Sequence, residues 1–118
     1  MTAPASPKPR VTDVLNSNER KYLRRIGHAL NPVVMIGSHG LTDSVIEETR
    51  RALGDHELIK VKVTGEDREQ RAAMIAELLE ATGAALAQSI GKTILIYKKA
   101  SKANPALSNL VRFAHLAD

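Results

Sequence analysis

The chain has 118 residues, 17 Lys plus Arg against 13 Asp plus Glu, a formal charge of +4, and neither cysteine nor tryptophan. That length suits one domain of roughly 90 residues with tails, and the missing thiols exclude disulfide scaffolds, thiol catalysis and cysteine-ligated zinc. No apolar run approaches the ~20 residues of a membrane helix, and the N-terminal MTAPASPKPRVT lacks the apolar core of a secretory signal, so the sequence reads as cytoplasmic.

Charge is unevenly placed. Residues 43–80 carry ten acids and six bases, whereas the remainder carries eleven bases and three acids. Such blocks predict one basic and one acidic face, and a basic face concentrates polyanions. An ordinary solvated surface produces the same pattern, so charge alone does not select a partner.

In chain order, residues 1–12 hold three of the five prolines and predict a mobile tail. Asn16-Ser17-Asn18-Glu19 has the form of a capping box opening a helix. Tyr22, Leu23, Ile26, Ala29 and Leu30 form its apolar stripe, Arg20, Lys21, Arg24 and Arg25 its basic side, and Asn31-Pro32 its end. Val33 to Ile36 is a continuous apolar run, the form of an inner strand covered on both faces. Gly37-Ser38-His39-Gly40 follows, then Thr42-Asp43-Ser44 heads a second helix with Val45, Ile46, Thr49 and Leu53 inward and Gly54 as its stop. From Glu57 to Val63 the residues alternate, with Ile59, Val61 and Val63 on one face and Leu58, Lys60 and Lys62 on the other: a half-buried strand.

A third helix runs to about Thr82, with Ala72, Ile75, Ala76 and Leu79 as its stripe, Met74 and Leu78 widening it, and Gly83 after it. Ala85 to Ile90 and Thr93 to Lys99 read as strands joined by Gly91-Lys92, a type II′ hairpin with glycine first. In the last nineteen residues, Asn104-Pro105 is a helix-start signal, with Leu107, Leu110, Val111 and Ala114 on one stripe. The order αβαβαββ implies an α/β fold with three helices on a four-stranded mixed sheet. Order first-second-fourth-third puts the second and third helices on one face.

Function centres on the GxxG loop at Gly37, Ser38, His39 and Gly40. Two glycines admit close backbone approach by a ligand, and the following helix N-terminus favours an anion. A lone GxxG is also a common turn. His28 and His56 read as capping or packing histidines, Tyr22 and Tyr97 as core or rim, and three aromatics are too few for base reading by sheet stacking. Neither HExxH nor GxSxG is present, so no enzyme, metal, cofactor or small-molecule substrate is expected.

The stretch LNSNERKYLRRIGHALNPVVMIGSHGLTDSV, with HELIKVKV and then Gly83, Gln88, Ile90, Gly91 and Tyr97, resembles the CRM domain family over about residues 15–99, and in particular its small bacterial YhbY-type members. The resemblance implies a fold similar to the C-terminal domain of a bacterial translation initiation factor, with a KH-like GxxG loop. It also implies RNA binding, with precursors of the large ribosomal subunit as partner. Carried onto this chain, Gly37, Ser38, His39 and Gly40 become the backbone-clamping loop. The family's loop often has a lysine after its first glycine and another before the strand's proline, where this chain has Ser38 and Asn31. Arg20, Lys21, Arg24 and Arg25 then supply the charge, with Lys60, Lys62, Lys92, Lys98 and Lys99 as further contacts. The domain is expected at 13–99, with a C-terminal tail at 100–118 that carries a short docked helix. The alternative is a protein-interaction module recruiting an acidic partner.

Overall fold

The computed structural model describes residues 15–65, 67–100 and 104–114; the expected tail at 1–12, and His115, lie outside them. The elements are α1 (Ser17–Gly27), β1 (Pro32–Ile36), α2 (Asp43–His56), β2 (Leu58–Val63), α3 (Arg68–Thr82), β3 (Ala85–Ile90), β4 (Thr93–Tyr97) and a short α4 (Asn109–Arg112). The sheet order is β1-β2-β4-β3, with β1 parallel to β2 and the other pairings antiparallel. The expected first-second-fourth-third order is therefore the observed one.

Local chemistry explains most boundaries. The Asn16 side chain accepts from the Glu19 amide at 2.8 Å while the Glu19 carboxylate accepts from the Asn16 amide at 2.9 Å, a complete capping box. Gly91 has φ +58°, and Lys92 keeps a negative φ, as a II′ turn requires. Gly83 closes α3 in the left-handed region at φ +76°.

Packing splits into two layers. On one sheet face Val34, Ile36, Ile59, Val61, Val63, Ile94 and Ile96 meet Leu53 of α2 and Leu78 of α3. On the other, Leu58, Ala85, Ala87, Leu95 and Tyr97 meet Leu23 and Ile26 of α1. Each such fully buried aliphatic side chain contributes about 1.5–3 kcal/mol.

Five expectations are corrected. β1 is covered on one face only, with Val33 49% and Met35 58% exposed on the other, because α1 ends at Gly27 and packs on the other strands. That end falls before Ala29, which is exposed, and well before Asn31; the chain tightens there through Ala29 and Leu30 amides to the Ile26 and Gly27 carbonyls. α2 runs through Gly54 and is capped by Glu57, which is not in the strand. In α3 Leu78 is the buried centre and Ala72 and Ala76 are exposed, since the larger Met74, Ile75, Leu78 and Leu79 claim the inward face. Asn104-Pro105 starts a turn, its helix beginning only at Asn109; Leu110 and Phe113 pack inward while Leu107 and Val111 stay exposed.

Glu57 is buried at φ +65°, ψ −42°, close to the strained γ-turn region. Its carboxylate accepts from Ser108 Oγ at 2.7 Å and from the Ala100 amide at 2.8 Å, and the Asn109 side-chain amide donates to the Leu58 carbonyl at 2.7 Å. Polar anchoring, together with the packing of Leu110 and Phe113, docks the C-terminal segment.

Candidate nucleic-acid interface

The GxxG loop leaves the C-terminal end of β1 and enters α2. Its stem is pinned, because the Ile36 carbonyl accepts from both the Thr64 amide (3.0 Å) and the Thr64 hydroxyl (2.6 Å). Its turn is closed by the Gly40 amide donating to the Gly37 carbonyl at 3.0 Å. Thr42 caps α2, its hydroxyl accepting from the Val45 amide at 3.2 Å. Ser38 and His39 are exposed.

The two glycines have different reasons. Gly40 sits at φ +75°, where a side chain is strained. Gly37 has no positive φ, and a Cβ added there would meet nothing within 4 Å. The fold therefore does not require glycine at position 37.

Beside the loop lies a groove of about 490 Å³ lined by Gly37, Ser38, Gly40, Gly65, Met74 and Lys92, among others. Lys92 comes from the β3–β4 turn, whose backbone is fixed by the Val63 amide donating to the Lys92 carbonyl at 2.7 Å. The loop glycines, Ser38 and Lys92 thus line one concave surface, and α2, with the positive end of its dipole, begins three residues after Gly40. Asp43, exposed in the first turn of α2, partly offsets that field.

The remaining sequence-predicted residues are distributed unequally. Lys60 and Lys62 lie on the α1 side of β2, Lys62 exposed and Lys60 half-buried. α1 packs on the face opposite α2, so the loop and the basic helix lie on opposite faces of the sheet. α1 runs from Tyr97 and Leu110 at its start toward Gln88, Ile90 and Thr93 at its end. Arg24 and Arg25 are therefore carried toward the loop end, with Arg20 and Lys21 a turn behind; all four are exposed. Lys98 and Lys99 follow β4 at the opposite end. There Lys98 Nζ donates to the Thr82 carbonyl at 2.7 Å and Arg50 to the Ala81 carbonyl at 2.9 Å, capping α3.

Sequence reasoning missed the groove's far wall, Thr64, Gly65, Gln70 and Met74, because only the tertiary fold brings β2's end and α3 to the loop. His56, in the last turn of α2, does not cap a helix but packs against the C-terminal segment, its Nδ1 2.9 Å from the Leu107 carbonyl. Among the described residues no His, Asp or Glu cluster could hold a metal, and no helix is long and apolar enough to cross a membrane.

Comparison with known proteins finds relatives over most of the chain. The CRS1 / YhbY (CRM) domain model matches residues 15–98. The chain is 46% identical over 100 residues to a probable RNA-binding protein of Pseudomonas aeruginosa, covering 85% of this chain and 96% of that one. It is 43% identical over 89 residues to an RNA-binding protein of Haemophilus influenzae, covering 75% and 90%. In structure it is similar to a hypothetical protein of Staphylococcus aureus, a candidate RNA-binding protein solved in solution, with a TM-score of 0.67 and 33% identity over 80% of this chain and 98% of that one.

Proposed function

The chain belongs to the CRS1 / YhbY (CRM) domain family, and on that premise we propose that it is a non-enzymatic RNA-binding protein gripping structured RNA at the GxxG loop. The likeness to RNA-binding relatives supports RNA as the ligand. The observation that carries the loop assignment is Gly37, a glycine the fold itself does not need. A phosphate enters the groove against loop amides and Lys92, with the α1 arginines and Lys60 and Lys62 adding long-range attraction. The RNA is precursor rRNA of the large ribosomal subunit, in the cytoplasm, where the protein assists assembly; the support for this step is the family resemblance of the loop and strand motifs.

The test is to sequence RNA crosslinked in cells to the wild type and to a Ser38→Asp/His39→Asp variant, both verified as folded by circular dichroism. Enrichment of large-subunit rRNA that the variant loses is the expected result. An unchanged RNA profile would remove the loop from the mechanism, and enrichment of other RNAs would remove the ribosome.

A further inference from the structure

The α1 side of the sheet is covered at one end only. Strand register aligns Met35, Lys62, Thr93 and Ile90 as one rung across all four strands, with Lys60, Leu95 and Gln88 in the next. Met35 is 58% and Ile90 62% exposed, so two large apolar side chains of the outer rung face solvent at opposite sheet edges. Behind that rung, against the last turn of α1, lies a recess of about 210 Å³ lined by Gly27, His28, Lys60, Gln88, Ile90 and Leu95, among others. Leu95 forms its floor, held so close under Gly27 that a Cβ there would stand 2.7 Å from the leucine side chain.

The electrostatics of this surface are one-sided. Lys60 and Lys62 are the only charged residues in the four strands, and both lie on this face. Neither side chain forms a hydrogen bond or ion pair with another described residue. The surface therefore offers exposed apolar groups, an amide able to donate and accept, and two unengaged ammonium groups in one patch. A helical RNA presents phosphates and 2′-hydroxyls with its base faces stacked away, and gains nothing from Met35 or Ile90. An unpaired nucleotide has all the matching parts: an apolar base face, a polar base edge and a phosphate. Lys92 joins the two sites, since it lines the loop groove and directly precedes Thr93 of the outer rung.

We propose that this open end of the sheet is a single-strand subsite, in which an unpaired nucleotide continuing from the loop groove places its base at the Gln88 recess beside Ile90. Met35 supports the neighbouring base, and Lys60 and Lys62 hold the phosphates. The inference rests on the RNA-binding reading above and adds to it a preference for RNA with unpaired bases next to a helix.

The experiment measures dissociation constants for two RNA probes, a blunt hairpin and the same hairpin with six unpaired 3′ nucleotides. Met35→Ser/Ile90→Ser alters only solvent-facing side chains, and Gln88→Ala is the independent second variant; circular dichroism confirms that each is folded. The wild type is expected to bind the extended probe about tenfold more tightly, from apolar area covered at roughly 25 cal/mol per Å². Both variants should lose that advantage, keep the blunt-hairpin affinity, and leave the salt dependence unchanged, since neither removes a cation. Lys62→Gln should reduce the salt slope on the extended probe by about 0.7, the share of one single-strand phosphate.

Equal wild-type affinity for the two probes, or variants that retain the full advantage, would overturn the subsite while leaving loop binding intact. If neither probe bound the wild type, the RNA-binding reading itself would fall, and the subsite with it. If the Met35/Ile90 variant bound both probes as the wild type does but lost a self-association that the wild type shows in sedimentation, the patch would be a protein interface and the proposal wrong.

Discussion

The two ends of the sheet use similar residues for opposite purposes. At the far end, where Glu57, Lys98 and α4 meet, polar groups are engaged within the fold: Arg50 and Lys98 cap α3, Glu57 holds Ser108 and Ala100, and Asn109 holds Leu58. At the loop end Ser38 and His39 face solvent, and the side chains of Lys62 and Lys92 engage no other described residue. Positive charge by itself therefore does not mark a binding surface. A cation whose hydrogen bonds are already taken stabilises the fold, and one left unengaged beside a groove is available to a ligand.

That contrast can be broken from either side. The largest effect is expected at the far end, where Glu57→Ala removes a carboxylate that accepts two hydrogen bonds, from buried Ser108 and half-buried Ala100. Bonds to charged groups contribute about 1.5–3 kcal/mol each, and relief of the positive φ returns little because alanine is strained there too, so a loss of about 3 kcal/mol is predicted from urea unfolding. RNA affinity should stay unchanged at a temperature where the variant is folded.

Next in size is Ser38→Asp/His39→Asp at the loop. Two carboxylates near a phosphate at ~4 Å oppose it by roughly 1 kcal/mol each in water, so affinity should fall about thirtyfold with no shift in melting temperature. Lys92→Glu against Lys99→Glu sharpens the comparison, since both are exposed lysines at opposite ends of β4. The first should weaken binding about tenfold and the second hardly at all, in titrations at one fixed salt concentration.

The glycines give a smaller effect of opposite kinds. Gly40→Ala should cost about 1 kcal/mol of stability for its positive φ. Gly37→Ala should leave stability unchanged or slightly raised, yet lower RNA affinity. Thermal melts and binding isotherms on the pair separate the two roles.

The smallest effect concerns Tyr97. Burial first, then the Glu57 and Glu19 carboxylates and Tyr22, raise its phenol above the ordinary tyrosine value. The unfolded chain thus loses this proton first as pH climbs past about 10, so stability should decline above that pH. Tyr97→Phe should blunt this part of the decline in melts taken between about pH 9 and 11.

What the sequence disclosed follows from the range of the interactions. The Asn16–Glu19 box and the Gly91-Lys92 turn are local chemistry spanning four residues or fewer, and they were legible. The open face of β1 is not legible in Val33 to Ile36, because an apolar run cannot say whether a neighbour covers both faces. Pro32 signals only the strand's edge position, since a residue that cannot donate to a ladder favours an edge. Glu57 looked like the first residue of a strand because its partners Ala100 and Ser108 lie 43 and 51 residues away. The loop was visible as a motif, but its groove wall at Gly65, Gln70 and Met74 exists only after β2 and α3 fold beside it.

The most direct test of the account is amide chemical-shift mapping of the folded protein titrated with an rRNA hairpin. The predicted result is that the largest shifts fall on Gly37 to Thr42, Thr64, Gly65 and Lys92, with Gly83, Lys98, Lys99 and Asn109 unmoved. Shifts concentrated at Lys98 and Lys99 with a silent loop would contradict it.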